Sequence, residues 1–180
     1  MARNVEIKAR VRNRATLFAR AQQIADGPPV EIVQDDTFFV CSNGRLKLRA
    51  FSESEGELIF YRRHNTPTPK ESQYFVTPTS CPSKLRETLA SALGECGQVR
   101  KKRTLFLVGR TRIHIDEVEG LGEFMELEVV LSESQAVDEG IATAQRVMQQ
   151  LGIDEEDLVD SAYVDLLKTS GASRSVRQTP

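Results

Sequence analysis

Cysteine is scarce in this 180-residue sequence. Cys41, Cys81 and Cys96 are an odd number and show no CxxC spacing. That argues against a disulfide framework or a cysteine-based zinc site and fits a reducing compartment. An excess of charge of one sign is also missing. Lys and Arg total 24 and Asp and Glu 26, for a net charge of -2. The chain therefore carries no bulk electrostatic footprint for nucleic acid, and no nucleic-acid partner is expected. No apolar run approaches the roughly 20 residues of a membrane span, so no membrane partner is expected either. Residues 1–6 lack the apolar stretch of a signal peptide, and the expected location is the cytoplasm. There is no GxxxxGK[ST] loop, no HExxH helix and no GxSxG elbow. Gly120-Leu121-Gly122 lacks the rest of a dinucleotide fingerprint and reads as a turn. No internal repeat stands out.

What remains is a globular composition, 39% hydrophobic and 28% charged, large enough to bury a core without staples. One domain over residues 1–167 is expected, followed by a small, polar, disordered tail at 168–180. Eight stretches alternate apolar and polar residues in the manner of strands: 3–12, 31–40, 45–51, 57–63, 71–77, 98–108, 111–118 and 123–131. In the first, Val5, Ile7, Ala9 and Val11 share one face, and Asn4, Glu6, Lys8 and Arg10 the other. Asn43-Gly44 and Gly109-Arg110 are hairpin signals. Helices are predicted over 14–25, 82–93, 134–151 and 154–167, the second starting at Pro82 and the last capped by Asp154. The fold class is α+β, mainly β. The favoured architecture is an eight-stranded antiparallel barrel with helices packed outside, because closure removes both sheet edges. An open sheet with helices on one face is the competing arrangement.

The polar faces of these strands are unusual. Arg45, Lys47 and Arg49 make one strand purely basic. Glu126 and Glu128 make the polar face of another acidic. Solvated faces normally mix signs within a strand. If amphipathic helices cover the outside of a barrel, these charges must point into its lumen. Such a lumen is costly unless its charges are paired or meet a charged ligand. A polyphosphate with divalent cations satisfies both signs: Lys and Arg meet phosphate oxygens, and carboxylates hold Mg²⁺ or Mn²⁺.

Four stretches carry a family resemblance. Asn4-Val5-Glu6-Ile7-Lys8 resembles the ExExK signature of the CYTH family, the triphosphate tunnel metalloenzymes. Arg45-Leu46-Lys47-Leu48-Arg49, Lys101-Lys102-Arg103 and the run from Asp116 through Gly120-Leu121-Gly122 to Glu126-Leu127-Glu128 follow in family order. The resemblance extends over residues 3–167 and departs at Asn4, where the signature has Glu. It implies a barrel forming a tunnel that binds a small-molecule triphosphate. Glu6, Asp116, Glu126 and Glu128 would be ligands for Mg²⁺ or Mn²⁺. Lys8, Lys47, Arg49, Arg63, Lys101 and Arg103 would grip phosphate oxygens, and Glu6, Lys8, Glu126 and Glu128 would form the catalytic set. The implied activity is metal-dependent hydrolysis of inorganic, nucleoside or thiamine triphosphate. One alternative is a class IV adenylyl cyclase making cyclic AMP and pyrophosphate. Another is a non-catalytic polyphosphate or nucleotide-binding module, which Asn4 favours. Lys70 is read as a loop residue at the tunnel mouth, His114 as a proton relay or internal hydrogen-bonding group, and Tyr163 as packing between the last helix and the barrel.

Overall fold

Alternation of apolar and polar residues shapes the whole chain. The computed structural model describes residues 2–171. Eight strands form: β1 (Ala2–Arg10), β2 (Val30–Phe39), β3 (Arg45–Ala50), β4 (Gly56–Arg63), β5 (Lys70–Thr79), β6 (Glu95–Val108), β7 (Thr111–Val118) and β8 (Gly122–Val130). They close into a barrel in the order β1-β5-β4-β3-β2-β6-β7-β8, with β8 pairing back onto β1. All neighbours are antiparallel. The open-sheet alternative is excluded. Gly109, at φ +55°, lets two residues connect β6 to β7 where a side chain would be strained.

Helices α1 (Arg14–Ile24), α2 (Pro82–Leu93), α3 (Val137–Leu151) and α4 (Tyr163–Thr169) lie outside the barrel. The main hydrophobic core therefore sits between wall and helices. Val5, Ile7 and Ala9 of β1 join Ile113 and Ile115 of β7 and Met125, Leu127 and Val129 of β8. They pack against Leu17 and Ala21 of α1 and Ala144, Val147 and Leu151 of α3. Because side chains alternate across a strand, this outer apolar set forces the polar partners inward.

The expected helix over 154–167 is not present as such. Asp154 does cap, but the turn it caps is a single 3₁₀ turn, Glu155–Asp157, closed by a reciprocal capping box with Asp157. Arg12 then holds both aspartates, at 2.6 Å from Asp157 and 3.0 Å from Asp154. The chain next runs extended: Leu158 bridges to Ala9, and the Val159 N–H donates to the Lys8 carbonyl at 2.8 Å. Pairing with a strand edge outweighs helix propensity here. The third helix likewise begins at Val137, three residues later than expected. Helix α4 continues to Thr169, into the first residues of the predicted tail. The remainder of that tail, 172–180, lies outside the described residues. No helix among the described residues is long and apolar enough to cross a membrane.

The segment 158–167 closes one end of the barrel. Ala162, Tyr163, Val164 and Leu167 pack on Phe38, Val99, Val118 and Phe124, which lie at the strand ends around that rim.

Gly140 is where α3 comes closest to the wall. A Cβ there would lie 2.7 Å from both Val5 and Leu131 side-chain atoms. Gly140→Leu should therefore push α3 off the barrel and cost about 2–3 kcal/mol by overpacking. Chemical denaturation of wild type and variant measures this.

Candidate active site

The barrel encloses a cavity of about 340 Å³. Its lining follows strand parity. Asn4, Glu6 and Lys8 come from β1, Gln34 and Asp36 from β2, Lys47 and Arg49 from β3. Tyr61 and Arg63 come from β4, Lys101 and Arg103 from β6, Arg112 and His114 from β7, Glu126 and Glu128 from β8. With Glu57 of β4, seven cationic side chains and five carboxylates face the cavity, an excess of two positive charges.

These charges hold one another. Asp36 is buried and accepts from Lys47 at 2.7 Å and from Arg49 at 2.8 Å. Burial alone would raise its carboxyl, but Arg49 and Lys47 overcome that and hold it far below the usual carboxylate range. Burial, aided by repulsion from Arg49, lowers the Lys47 ammonium to about 8. Across the lumen, Lys8 meets Glu126 at 3.0 Å and lies 3.8 Å over the Tyr163 ring. Burial lowers Lys8, and Glu126 partly offsets this. Glu126 also accepts from Arg103, and its carboxyl is held well down by Lys8, Lys101 and Arg103 against the cost of burial. Arg112 stands opposite Glu128 in register and binds its Oε2 at 2.7 Å. Glu6 accepts from Arg63 at 2.6 Å. Burial nevertheless raises the Glu6 carboxyl, with Glu126 and Glu128 adding repulsion.

Asp116 differs from the other carboxylates. It is fully buried toward the closed end of the barrel. Arg103 donates to both its oxygens at 2.6 and 2.7 Å, Lys101 donates at 3.1 Å, and the Tyr163 hydroxyl at 3.0 Å. The structure does not bring it into a metal-sized cluster with Glu126 and Glu128. The group that could hold a metal ion is His114, Glu126 and Glu128, each offering one atom, all within 4.8 Å of one another. Glu6 lines the same cavity from the adjacent strand, directly opposite Glu128 in register.

Four buried side-chain atoms lack a hydrogen-bond partner among the described residues: Asn4 Oδ1, Gln34 Oε1, Arg63 Nε and His114 Nδ1. All four residues line the cavity. Buried polar atoms are nearly always satisfied, so this concentration fits a lumen built for a polar, charged occupant. The His114 nitrogen, facing Glu128, suits a cation, and the orphaned Arg63 guanidinium donor suits an anion.

Lys70 is not a mouth loop. It is the first residue of β5, opposite Glu6 in register, and its ammonium donates to the Thr66 carbonyl. Burial and Arg63 lower it to about 8. Tyr163 packs edge-on against Phe124 as expected, and its hydroxyl adds the bond to Asp116. Sequence reasoning misses Asp36 and gives Arg112 no role. A two-residue turn at Asn43-Gly44 would set Asp36 opposite Phe51; the actual five-residue connection, 40–44, shifts the register and sets Asp36 opposite Arg49.

The family model described as the CYTH domain matches residues 2–163. The chain belongs to the CYTH family. A Methanocaldococcus jannaschii protein provisionally named adenylate cyclase is 29% identical over 72 residues, 40% of this chain and 41% of that relative's length. Among solved structures, a Pyrococcus horikoshii protein superposes with a TM-score of 0.80 at 21% identity, covering 91% of this CYTH chain and 98% of its own. A Hippeastrum protein, described as an adenylyl cyclase candidate with a dominant triphosphatase activity, gives 0.58 at 16% identity, covering 93% and 96%. At these identities the structures share the fold. Neighbours of this CYTH protein thus carry the names of both cyclase and triphosphatase.

Removing the Asp116 charge should leave Lys101 and Arg103 buried without a full partner. Asp116→Asn is expected to cost about 3–5 kcal/mol of stability, read by urea denaturation. A metal ligand would instead lose ion affinity with little change in stability.

Proposed function

We propose that the protein is a divalent-metal-dependent triphosphatase that takes its substrate inside the barrel. The observation that carries this reading is the set of four unpartnered buried polar atoms, each on a residue that lines the lumen, amid an excess of two positive charges. A triphosphate of about four negative charges carrying one divalent cation matches that excess closely.

Both signs of charge have work in this scheme. At rest, carboxylates neutralise cations on neighbouring strands along the tunnel wall. When the substrate enters, Lys47, Arg49 and Arg63 turn to phosphate oxygens, Arg in the bidentate manner, while Lys101 and Arg103 stay on Asp116 and offer phosphate their remaining N–H groups. Lys8, between Glu126 and the lumen, adds a further ammonium. Glu126 and Glu128, with Glu6 beside them, are released toward a cation and would hold Mg²⁺ or Mn²⁺. Asp116 stays behind as the counter-ion that fixes Lys101 and Arg103. Asn4 contributes only a neutral amide oxygen where the signature has a carboxylate, so the first strand supplies one acid instead of two. A bound divalent cation supplies charge neutralisation of the phosphate and a water of lowered pKa. The protein's part is to position and stabilise charge on the transferring group, the main requirement of phosphoryl transfer.

The far end of the tunnel from Tyr163 carries an apolar cluster beside the charged Glu57 and Arg112. Ile32, Phe51, Val76 and Leu105 line it, and Val30 and Leu107 continue the same strand faces beyond it. Val30, Val76 and Leu107 are 54%, 43% and 48% exposed, so this mouth opens to solvent. It suits the organic end of a nucleoside or thiamine triphosphate better than inorganic triphosphate. The same mouth keeps a second reading open, cyclisation of ATP, in which a ribose hydroxyl attacks the α-phosphate.

Chromatography of products from ATP, thiamine triphosphate and inorganic triphosphate with Mg²⁺ or Mn²⁺ tests the proposal. Orthophosphate with the matching diphosphate is expected, and Glu126→Gln should lower turnover about a hundredfold or more. Cyclic AMP with pyrophosphate would replace hydrolysis by cyclisation. Tight binding without product would make the chain a binding module.

Lys47 adds a pH dependence. Below about 8 it is charged and favours an anion, and above that value binding must take up a proton. Affinity for tripolyphosphate in EDTA should fall as pH rises from 7 to 9, approaching tenfold per unit. Lys47→Arg should flatten this dependence in a calorimetric titration.

A further inference from the structure

The histidine in the lumen is a third ligand in waiting. We infer that His114 supplies a nitrogen ligand, through Nδ1, to the divalent ion held by Glu126 and Glu128, and that it biases the tunnel toward first-row transition ions such as Mn²⁺ over Mg²⁺. The inference rests on the proposed function in assuming that the tunnel holds a divalent ion.

Three independent observations converge. First, register places His114 directly opposite Glu126, and Glu128 lies one inward position further along β8. The three side chains thus rise from two paired strands on one face, a rigid platform rather than a loop. Second, His114 Nδ1 is buried and has no hydrogen-bond partner, in a residue only 4% exposed. A buried imidazole with a purely structural role would be expected to bond through that atom. Third, Nδ1 faces Glu128 Oε1 at 3.9 Å. That is too long for a hydrogen bond. It is within the reach of two ligands sharing one ion, since bonds of about 2.1 Å allow a separation of up to about 4.2 Å. Arg112 occupies the other Glu128 oxygen, which leaves Oε1 directed at His114.

The donor set then decides the metal. Carboxylates alone suit Mg²⁺ and Mn²⁺ about equally as hard oxygen ligands. An imidazole nitrogen adds affinity for the transition ion and little for Mg²⁺. His64, the other histidine, is exposed beyond the end of β4 and does not line the cavity.

Pulsed electron paramagnetic resonance on the purified chain with substoichiometric Mn²⁺ reads this directly. The expected spectrum of the wild type shows modulation from a directly bonded ¹⁴N. That signal should change to the ¹⁵N pattern on ¹⁵N-histidine labelling and persist in His64→Gln. His114→Gln should abolish it and raise the Mn²⁺ dissociation constant at least about tenfold, with a change below about threefold for Mg²⁺. Should His114→Gln fail to fold, the labelled wild type decides alone. Bound Mn²⁺ without nitrogen modulation would overturn the role of His114 and leave the carboxylate site standing. No Mn²⁺ binding at all would overturn the proposed function together with this inference.

Discussion

The structure depends on one constraint: a closed sheet that must keep a charged inner face. The helices take the apolar side of the wall, so Val5, Ile7, Leu127 and their neighbours face outward and the polar alternates are confined within. Seven cations and five carboxylates in about 340 Å³ cannot remain there unpaired. Cross-strand register solves the problem by placing opposite signs together, Asp36 opposite Arg49, Lys8 opposite Glu126 and Arg112 opposite Glu128. The ion pairs are thus a condition of closure as well as components of a site.

That arrangement links stability to function. Most lumen charges are paired with one another, and in the proposed scheme those pairs exchange for substrate and metal. In that scheme, cations released to phosphate and carboxylates released to a metal would both find new partners of opposite charge. Asp116 is the member that stays paired in that scheme; it accepts four donor contacts from Arg103, Lys101 and Tyr163 and is fully buried. It serves as a fixed counter-ion that orients the two β6 cations toward the lumen. The segment 158–167 completes the vessel. By bridging to β1 and setting Tyr163 against Lys8 and Asp116, it closes the end where the basic side chains crowd. The opposite mouth, where the apolar cluster of Ile32, Phe51, Val76 and Leu105 lies, is left open.

Much of this is legible in the sequence, and the reasons are specific. All eight strands follow from period-two alternation, most clearly in Val5, Ile7 and Ala9. Strands of a single sign, Arg45-Lys47-Arg49 and Glu126-Glu128, mark an inward face by their charge alone. Asp36 is obscured because Asp35 stands beside it, and only register tells which of the two faces the lumen. Asp116 stands among the expected ligands, and a sequence cannot reveal that its carboxylate also accepts from a phenol 47 residues away. The helix expected over 154–167 fails because the cap at Asp154 is a local signal, whereas the pairing of Leu158 and Val159 with β1 is a long-range one.

The central claim is that the charged lumen is a receptacle for a triphosphate, and a crystal structure of the protein with tripolyphosphate tests it most directly. The account requires the three phosphate groups inside the barrel, with Lys47 and Arg49 turned from Asp36 to phosphate oxygens. A lumen in which Lys47 and Arg49 remain on Asp36 and Arg63 on Glu6, with the anion bound on the outer wall, would contradict it.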